Sequence, residues 1–225
     1  MMKLLPYIKY FSYIAFNWNI KIAVHILRQE IRGEKKYGIH STGADELKKL
    51  EKKGIDISHA TIYMPVSYEL LEEAFIQLKL STGKSLNHFL DIGCGKGRAL
   101  CVAAHEGFNK ITGIDLSKEL CEQATENCQL TQRQLPALQF SIINNDAFYY
   151  GIPPDVDCIF MFNPFDELIM SGVVENILKS LHEYPRNLII IYVNPLHKEL
   201  FTRQGFKEIY YSKRMKYLEL SVLSV

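Results

Sequence analysis

The sequence contains no CxxC pair: its five cysteines (Cys94, Cys101, Cys121, Cys128 and Cys158) are an odd number and stand apart. That argues against an all-paired disulfide framework and against a zinc ribbon, and it fits a reducing cytoplasm. Net charge is nearly absent, with 26 Lys+Arg against 25 Asp+Glu, so nothing global invites nucleic acid. No apolar core is followed by a small-residue cleavage site, as a signal peptide requires. The greasiest stretch is interrupted by Asn17, Asn19, Lys21 and His25, short of the roughly 20 apolar residues that span a bilayer. No GxSxG elbow marks a hydrolase nucleophile, and no GKS or GKT marks a P-loop. No His/Cys cluster has metal-ligand spacing, so no metal is expected. Internal repeats and low-complexity tracts are missing as well.

What is present is a chain of 225 residues with 48% hydrophobic content, enough for one large domain with a full core, or for a domain plus a helical extension. Charge is uneven: residues 1–60 carry a net +5 and the remaining 165 a net −4. Residues 1–28 hold Lys3, Lys9, Lys21 and Arg28, no acid, and the aromatics Tyr7, Tyr10, Phe11, Tyr13, Phe16 and Trp18. Asn17, Lys21, His25 and Arg28 are spaced to share one face of a single amphipathic helix with a wide apolar remainder. Such a helix packs on the main domain or on a second subunit; the alternative is attachment to a membrane surface. Lys35, Lys36, Lys48, Lys49, Lys52 and Lys53 read as a solvated face. The only boundary is the glycine-containing stretch Gly38–Gly43, giving a helical cap over 1–60 and a main domain over 61–225.

From residue 65 onward, short apolar runs at 88–92, 110–115, 138–143, 156–162 and 187–193 alternate with helix-like stretches at 65–80, 98–107, 117–130, 166–184 and 196–204. That alternation predicts βαβ units and a doubly wound α/β fold with a parallel sheet. Residues 206–211 and 216–224, separated only by Ser212–Met215, predict a terminal hairpin with one antiparallel strand.

The first run ends in Asp91-Ile92-Gly93-Cys94-Gly95-Lys96-Gly97-Arg98 and leads straight into a helix. Ligands of open parallel sheets bind beyond the carboxyl ends of the strands, and alternate glycines let backbone approach a ligand closely. The dinucleotide fingerprint needs GxGxxG; here Arg98 stands where the third glycine would, which counts against a nicotinamide or flavin. Asp115 closes the second run, placed to accept from both hydroxyls of a ribose. Asp146 follows the third, placed to accept from an adenine amino group, and Asn163-Pro164-Phe165 follows the fourth. Singly, Asp91 and Asp146 also read as a helix cap and a turn residue.

DIGCGKG, GID, NDAF and FNPF, in this order and spacing, resemble the class I S-adenosylmethionine-dependent methyltransferases over about residues 60–225. The resemblance implies a seven-stranded, mostly parallel Rossmann-like sheet with an antiparallel last strand, and S-adenosyl-L-methionine as cofactor. It places Asp91, Gly93, Cys94, Gly95 and Gly97 around the methionine part, Asp115 on the ribose and Leu116 on the adenine face. Asp146 and Ala147 fall at the adenine edge, and Asn163 beside the reactive methyl. Asn163, Pro164 and Phe165 stand where amino-group methyltransferases carry Asn/Asp-Pro-Pro-Tyr/Phe, one proline short, so the acceptor atom stays open between nitrogen and oxygen. Asn163 would orient the acceptor and Phe165 stack on it; the other reading is that Asn163-Pro164 merely ends a strand. Tyr63-Met64-Pro65 is similar to a short YxP element of some protein-lysine methyltransferases of this class, including those acting on a membrane ATP synthase subunit. Tyr63 then closes over the acceptor, or else anchors the helix that follows. His182 and His197 are expected at the surface, leaving no general base. The activity implied is methyl transfer to a protein or small molecule; an RNA acceptor and a non-catalytic adenosyl- or protein-binding module are the alternatives.

Overall fold

The computed structural model describes residues 4–17, 20–43, 65–83, 86–163, 165–214 and 218–225. Two N-terminal helices, α1 (Leu4–Asn17) and α2 (Ile20–Tyr37), precede α3 (Tyr68–Thr82). Then follow β1 (His88–Ile92), α4 (Arg98–His105), β2 (Lys110–Asp115), α5 (Lys118–Gln134) and β3 (Gln139–Asn144). A 3₁₀ turn (Ala147–Tyr149) leads to β4 (Cys158–Phe162), α6 (Glu167–Glu183), β5 (Ile189–Val193), α7 (Lys198–Thr202), β6 (Lys207–Arg214) and β7 (Leu218–Ser224).

The seven strands form one sheet in the order β3-β2-β1-β4-β5-β7-β6. The first five are parallel, and β7 runs antiparallel to both β5 and β6. Strand boundaries follow the apolar runs because the inner strands are buried on both faces: every residue of β1 and β5 is buried, whereas β3 at the edge is only partly so. Along β1, Phe89 faces the layer of α3, α4 and α5, while Leu90 and Ile92 face that of α6 and α7. Helix starts are chemically marked. Ser67 accepts from Leu70 N, Ser117 from Leu120 N and Asp166 from Ile169 N, each closing a first turn.

Two expectations change. Strand β6 runs on to Arg214, through residues assigned to the turn, with Ser212 paired to Leu220 and Lys213 ion-paired to Glu219. An outermost strand has one side in water and so tolerates polar residues. The N-terminal segment is two helices, not one. Tyr10 and Ile14 of α1 fold back onto Ala23 of α2, which places Asn17 on a different helix from Lys21, His25 and Arg28. Lys21, His25 and Arg28 are all exposed. Helix α2 then approaches α3 so closely that a Cβ at Gly33 would lie 2.1 Å from the Tyr68 ring. That ring stacks on Tyr37 with centroids 5.6 Å apart.

Candidate active site

The carboxyl ends of β3, β2, β1 and β4 are neighbours in the sheet, so the loops after them line one edge. After β1 the chain turns through three glycines at φ +82° (Gly93), +53° (Gly95) and +75° (Gly97), a region other residues enter only at a cost. Gly93 N and Cys94 N both donate to Ile114 O at 2.9 Å, and Gly97 N donates to Cys94 O at 2.8 Å. A Cβ on Gly97 would stand 3.2 Å from Ala124 Cβ, so the loop is tucked against α5. Helix α4 begins immediately, with no side chain capping its first amides, and such amides suit a ligand's polar groups. The Cys94 side chain does not face outward: it is buried and its Sγ would lie 2.8 Å from a Cβ on Gly113. Only its backbone is available to a cofactor.

Asp115 organises the loop. Its Oδ2 accepts from Gly95 N and its Oδ1 from Ser117 N, both at 2.8 Å. Burial nevertheless holds its carboxyl above the usual range, outweighing these two bonds. Asp91 is buried one strand over, opposite Gly113 in the ladder. Its carboxyl is pushed well up by burial first, then by Asp115 and Cys101. Leu116, beside Asp115, is exposed. Its carbonyl and that of Asp115 both accept from Asn144 Nδ2, at 2.8 and 3.0 Å. Sequence reasoning missed Asn144; ending β3 opposite Asp115 in the register was the signal that could have found it.

Asp146 accepts from Phe148 N at 2.9 Å and so caps the 3₁₀ turn, with Ala147 buried behind it. Asn163 leaves β4 at φ +36°, a left-handed conformation that asparagine tolerates better than most residues. Phe165 is half-buried against the α6 side of the core. Tyr63 and Pro164 lie outside the described residues. His182 is exposed and His197 half-buried. Among the described residues no group of His, Cys, Asp and Glu is arranged to hold a metal ion.

Residues 89–185 match the model of a family described as a methyltransferase domain. The match agrees with the resemblance carried by the sequence motifs. No curated relative matches the chain in sequence. Among solved structures, a methyltransferase from Thiobacillus denitrificans in complex with S-adenosyl-L-homocysteine is 18% identical with a TM-score of 0.52. The match covers 72% of this chain and 92% of that one. A ribosomal protein L11 methylase from Lactobacillus delbrueckii subsp. bulgaricus is also 18% identical, with a TM-score of 0.50, covering 71% and 88%. At that identity the likeness concerns the fold, and the methyltransferase fold is the one the strand order shows. The cofactor that the sequence resemblance implies is S-adenosylmethionine. That molecule bears two positive centres, an ammonium and a sulfonium. Two buried acids with raised pKa values behind a glycine loop are a fitting environment, since each gains by the approach of a cation.

Proposed function

We propose that this methyltransferase domain holds S-adenosylmethionine with Asp91, Gly93, Gly95, Gly97 and the Cys94 backbone around the methionine part. Asp115 takes the ribose, Leu116 the adenine face, and Asp146 and Ala147 the adenine edge. The methyl acceptor is a nitrogen or oxygen of a protein or small molecule, presented at Asn163, Pro164 and Phe165, with Tyr63 on the acceptor side. The observation that carries this reading is the pair Asp91 and Asp115, at neighbouring strand ends with raised pKa values behind three left-handed glycines.

When bound, the cofactor supplies an electrophilic methyl on a sulfonium. The chain's part is alignment and exclusion of water. Asn163 accepts an acceptor N–H or O–H through its carbonyl and directs the lone pair, and Phe165 gives an aromatic wall to a developing cation. Asp115 keeps the glycine loop in register by holding Gly95 N. The test is thermal unfolding with S-adenosylmethionine, S-adenosylhomocysteine, NAD or no ligand. Saturation at about 100 times the dissociation constant adds about 2.7 kcal/mol, an upward shift of about 5–10 °C for a chain of this size. A shift with the adenosyl ligands alone is expected; a shift with NAD alone would overturn the assignment.

The N-terminal helices support a second contact, with an anionic membrane surface. Ile8, Tyr13, Phe16 and Ile20 are exposed beside the exposed Lys9 and Lys21, Phe16 being 91% open. No helix among the described residues is long and apolar enough to cross a membrane. Co-sedimentation with anionic vesicles, lost in a Phe16→Glu/Ile20→Glu variant, is expected; full-length protein that ignores such vesicles ends the idea. The five cysteines are free and buried, which suits the cytoplasm.

A further inference from the structure

Arg98, the residue standing where a dinucleotide fingerprint would have its third glycine, is the first residue of α4 and is 2% exposed. A guanidinium at a helix N-terminus meets the positive end of the backbone dipole, and burial strips it of water. Its donors are taken up by the N-terminal segment and by the residues just before α3. Nη1 donates to Glu30 Oε1 at 2.8 Å and to Val66 O at 2.7 Å, Nη2 donates to Glu30 Oε2, and Nε donates to Ser41 Oγ at 2.8 Å. The plane lies over the Tyr68 ring, 4.1 Å from its centroid. Glu30 is itself 3% exposed on α2. One turn on, Glu34 accepts from Ser41 N, Thr42 N and Thr42 Oγ1 at 2.6–2.7 Å, and from the Tyr7 hydroxyl of α1. A second link runs through α5: Asn127 exchanges hydrogen bonds with the His40 backbone and donates to Lys96 O at 2.8 Å.

The glycine loop is therefore gripped from both sides, Gly95 N and Lys96 O by Asp115 and Asn127, and the residue after Gly97 by Glu30. We propose that Arg98 is a positioning residue for the cofactor loop, and that the Glu30–Arg98 pair couples docking of the N-terminal helices to cofactor binding. This rests on the cofactor lying at Gly93–Gly97. Binding that tightens the loop then tightens α2, and loosening α2 weakens binding by the same factor, because linkage is reciprocal.

The experiment uses the full chain. S-adenosylhomocysteine affinity is measured by calorimetry, and amide exchange is followed at Gly95–Ala99 and at Gln29–Glu34, in wild type, Glu30→Gln, Arg98→Met and the double variant. Glu72→Gln, which removes exposed contacts of α2 with α3, is the control for general loosening. Removing one partner of a buried pair threatens folding, whereas removing both leaves no stranded charge, so the double variant is the decisive one. It is expected to keep a melting temperature near that of wild type yet bind about tenfold more weakly. Ligand is expected to slow exchange in Gln29–Glu34 of wild type and of Glu72→Gln but not of the double variant. A stable double variant with wild-type affinity and the same ligand-induced protection would overturn the coupling. If wild type binds neither adenosyl ligand, the cofactor reading fails; faster Gly95–Ala99 exchange in the double variant than in Glu72→Gln would still support Arg98 as the residue that holds the loop, and equal exchange would sink that too.

Discussion

The two edges of the sheet carry aspartates in opposite electrical circumstances. At the amino edge, Asp155 meets Lys110 Nζ at 2.6 Å and His88 Nδ1 at 3.1 Å, and Asp157 accepts from the backbone N–H groups of Asn87 and His88 at 2.7 and 2.9 Å. Burial alone would raise the Asp155 carboxyl, but the Lys110 bond and the His88 ring bring it below its usual value. At the carboxyl edge, burial raises both Asp91 and Asp115, and the neighbouring Asp115 adds to the rise at Asp91. The same side chain has its charge favoured where it is paired and disfavoured where it is buried, and the second setting is the one proposed to meet the cofactor. Functional edges are where a fold tolerates such a cost.

The sharpest way to break this contrast is Asp115→Ala. A charged acceptor of hydroxyl hydrogens contributes about 1.5–3 kcal/mol, so S-adenosylmethionine affinity should fall by more than tenfold in calorimetry; unchanged affinity would remove Asp115 from the site. Gly33→Ala comes next in size, a change in stability at a distance from the cofactor. The new methyl would drive into Tyr68, and overpacking of this kind costs about 1–3 kcal/mol, read as a lower urea midpoint.

Asp91→Asn sharpens the comparison through its sign. An acid whose folded pKa is raised gives stability that is fully present below its unfolded pKa, about 3.9, and loses it as pH rises through the folded value. The asparagine variant cannot ionise, so its melting temperature should gain on that of wild type as pH goes from 5 to 8, while its affinity for S-adenosylmethionine drops. The smallest effect is expected for Asp155→Asn. Its lowered pKa gives stability that is present above about pH 3.9 and lost as pH falls through the folded value. The group is half exposed, so the change should be about 0–1 kcal/mol near neutrality, vanish in strong acid, and leave cofactor affinity untouched. A loss of affinity there would erase the distinction between the edges.

The sheet was legible because its strands are short apolar runs bounded by polar residues; β1 and β2 match their runs at 88–92 and 110–115 residue for residue. Family motifs carried the proposed site, since each falls at a strand end that the alternation had already marked. What escaped is non-local. Glu30 and Arg98 are 68 residues apart, and no periodicity connects an acid on one helix to a base at the start of another. Arg98 was noticed for the glycine it replaces rather than for the partner a buried guanidinium requires. The N-terminal helices misled for a related reason: a wide apolar face reads as one long helix until its two halves turn out to bury against each other. Asp146 shows the opposite limit. Its turn role is visible in the bond from Phe148 N, and that role is compatible with the adenine contact proposed for it.

Strand β7 lies between β5 and β6, although every other strand precedes it in the chain. During synthesis, β6 therefore leaves the ribosome with no neighbour to pair with, and β5 stays an open edge. Both remain so until residues 218–224 emerge and slide between them. A nascent chain stalled before Leu218 would leave Ile189–Val193 as an unpaired apolar edge strand. Completing the sheet is thus a single insertion, of Leu218–Ser224 between two strands that precede it in the chain.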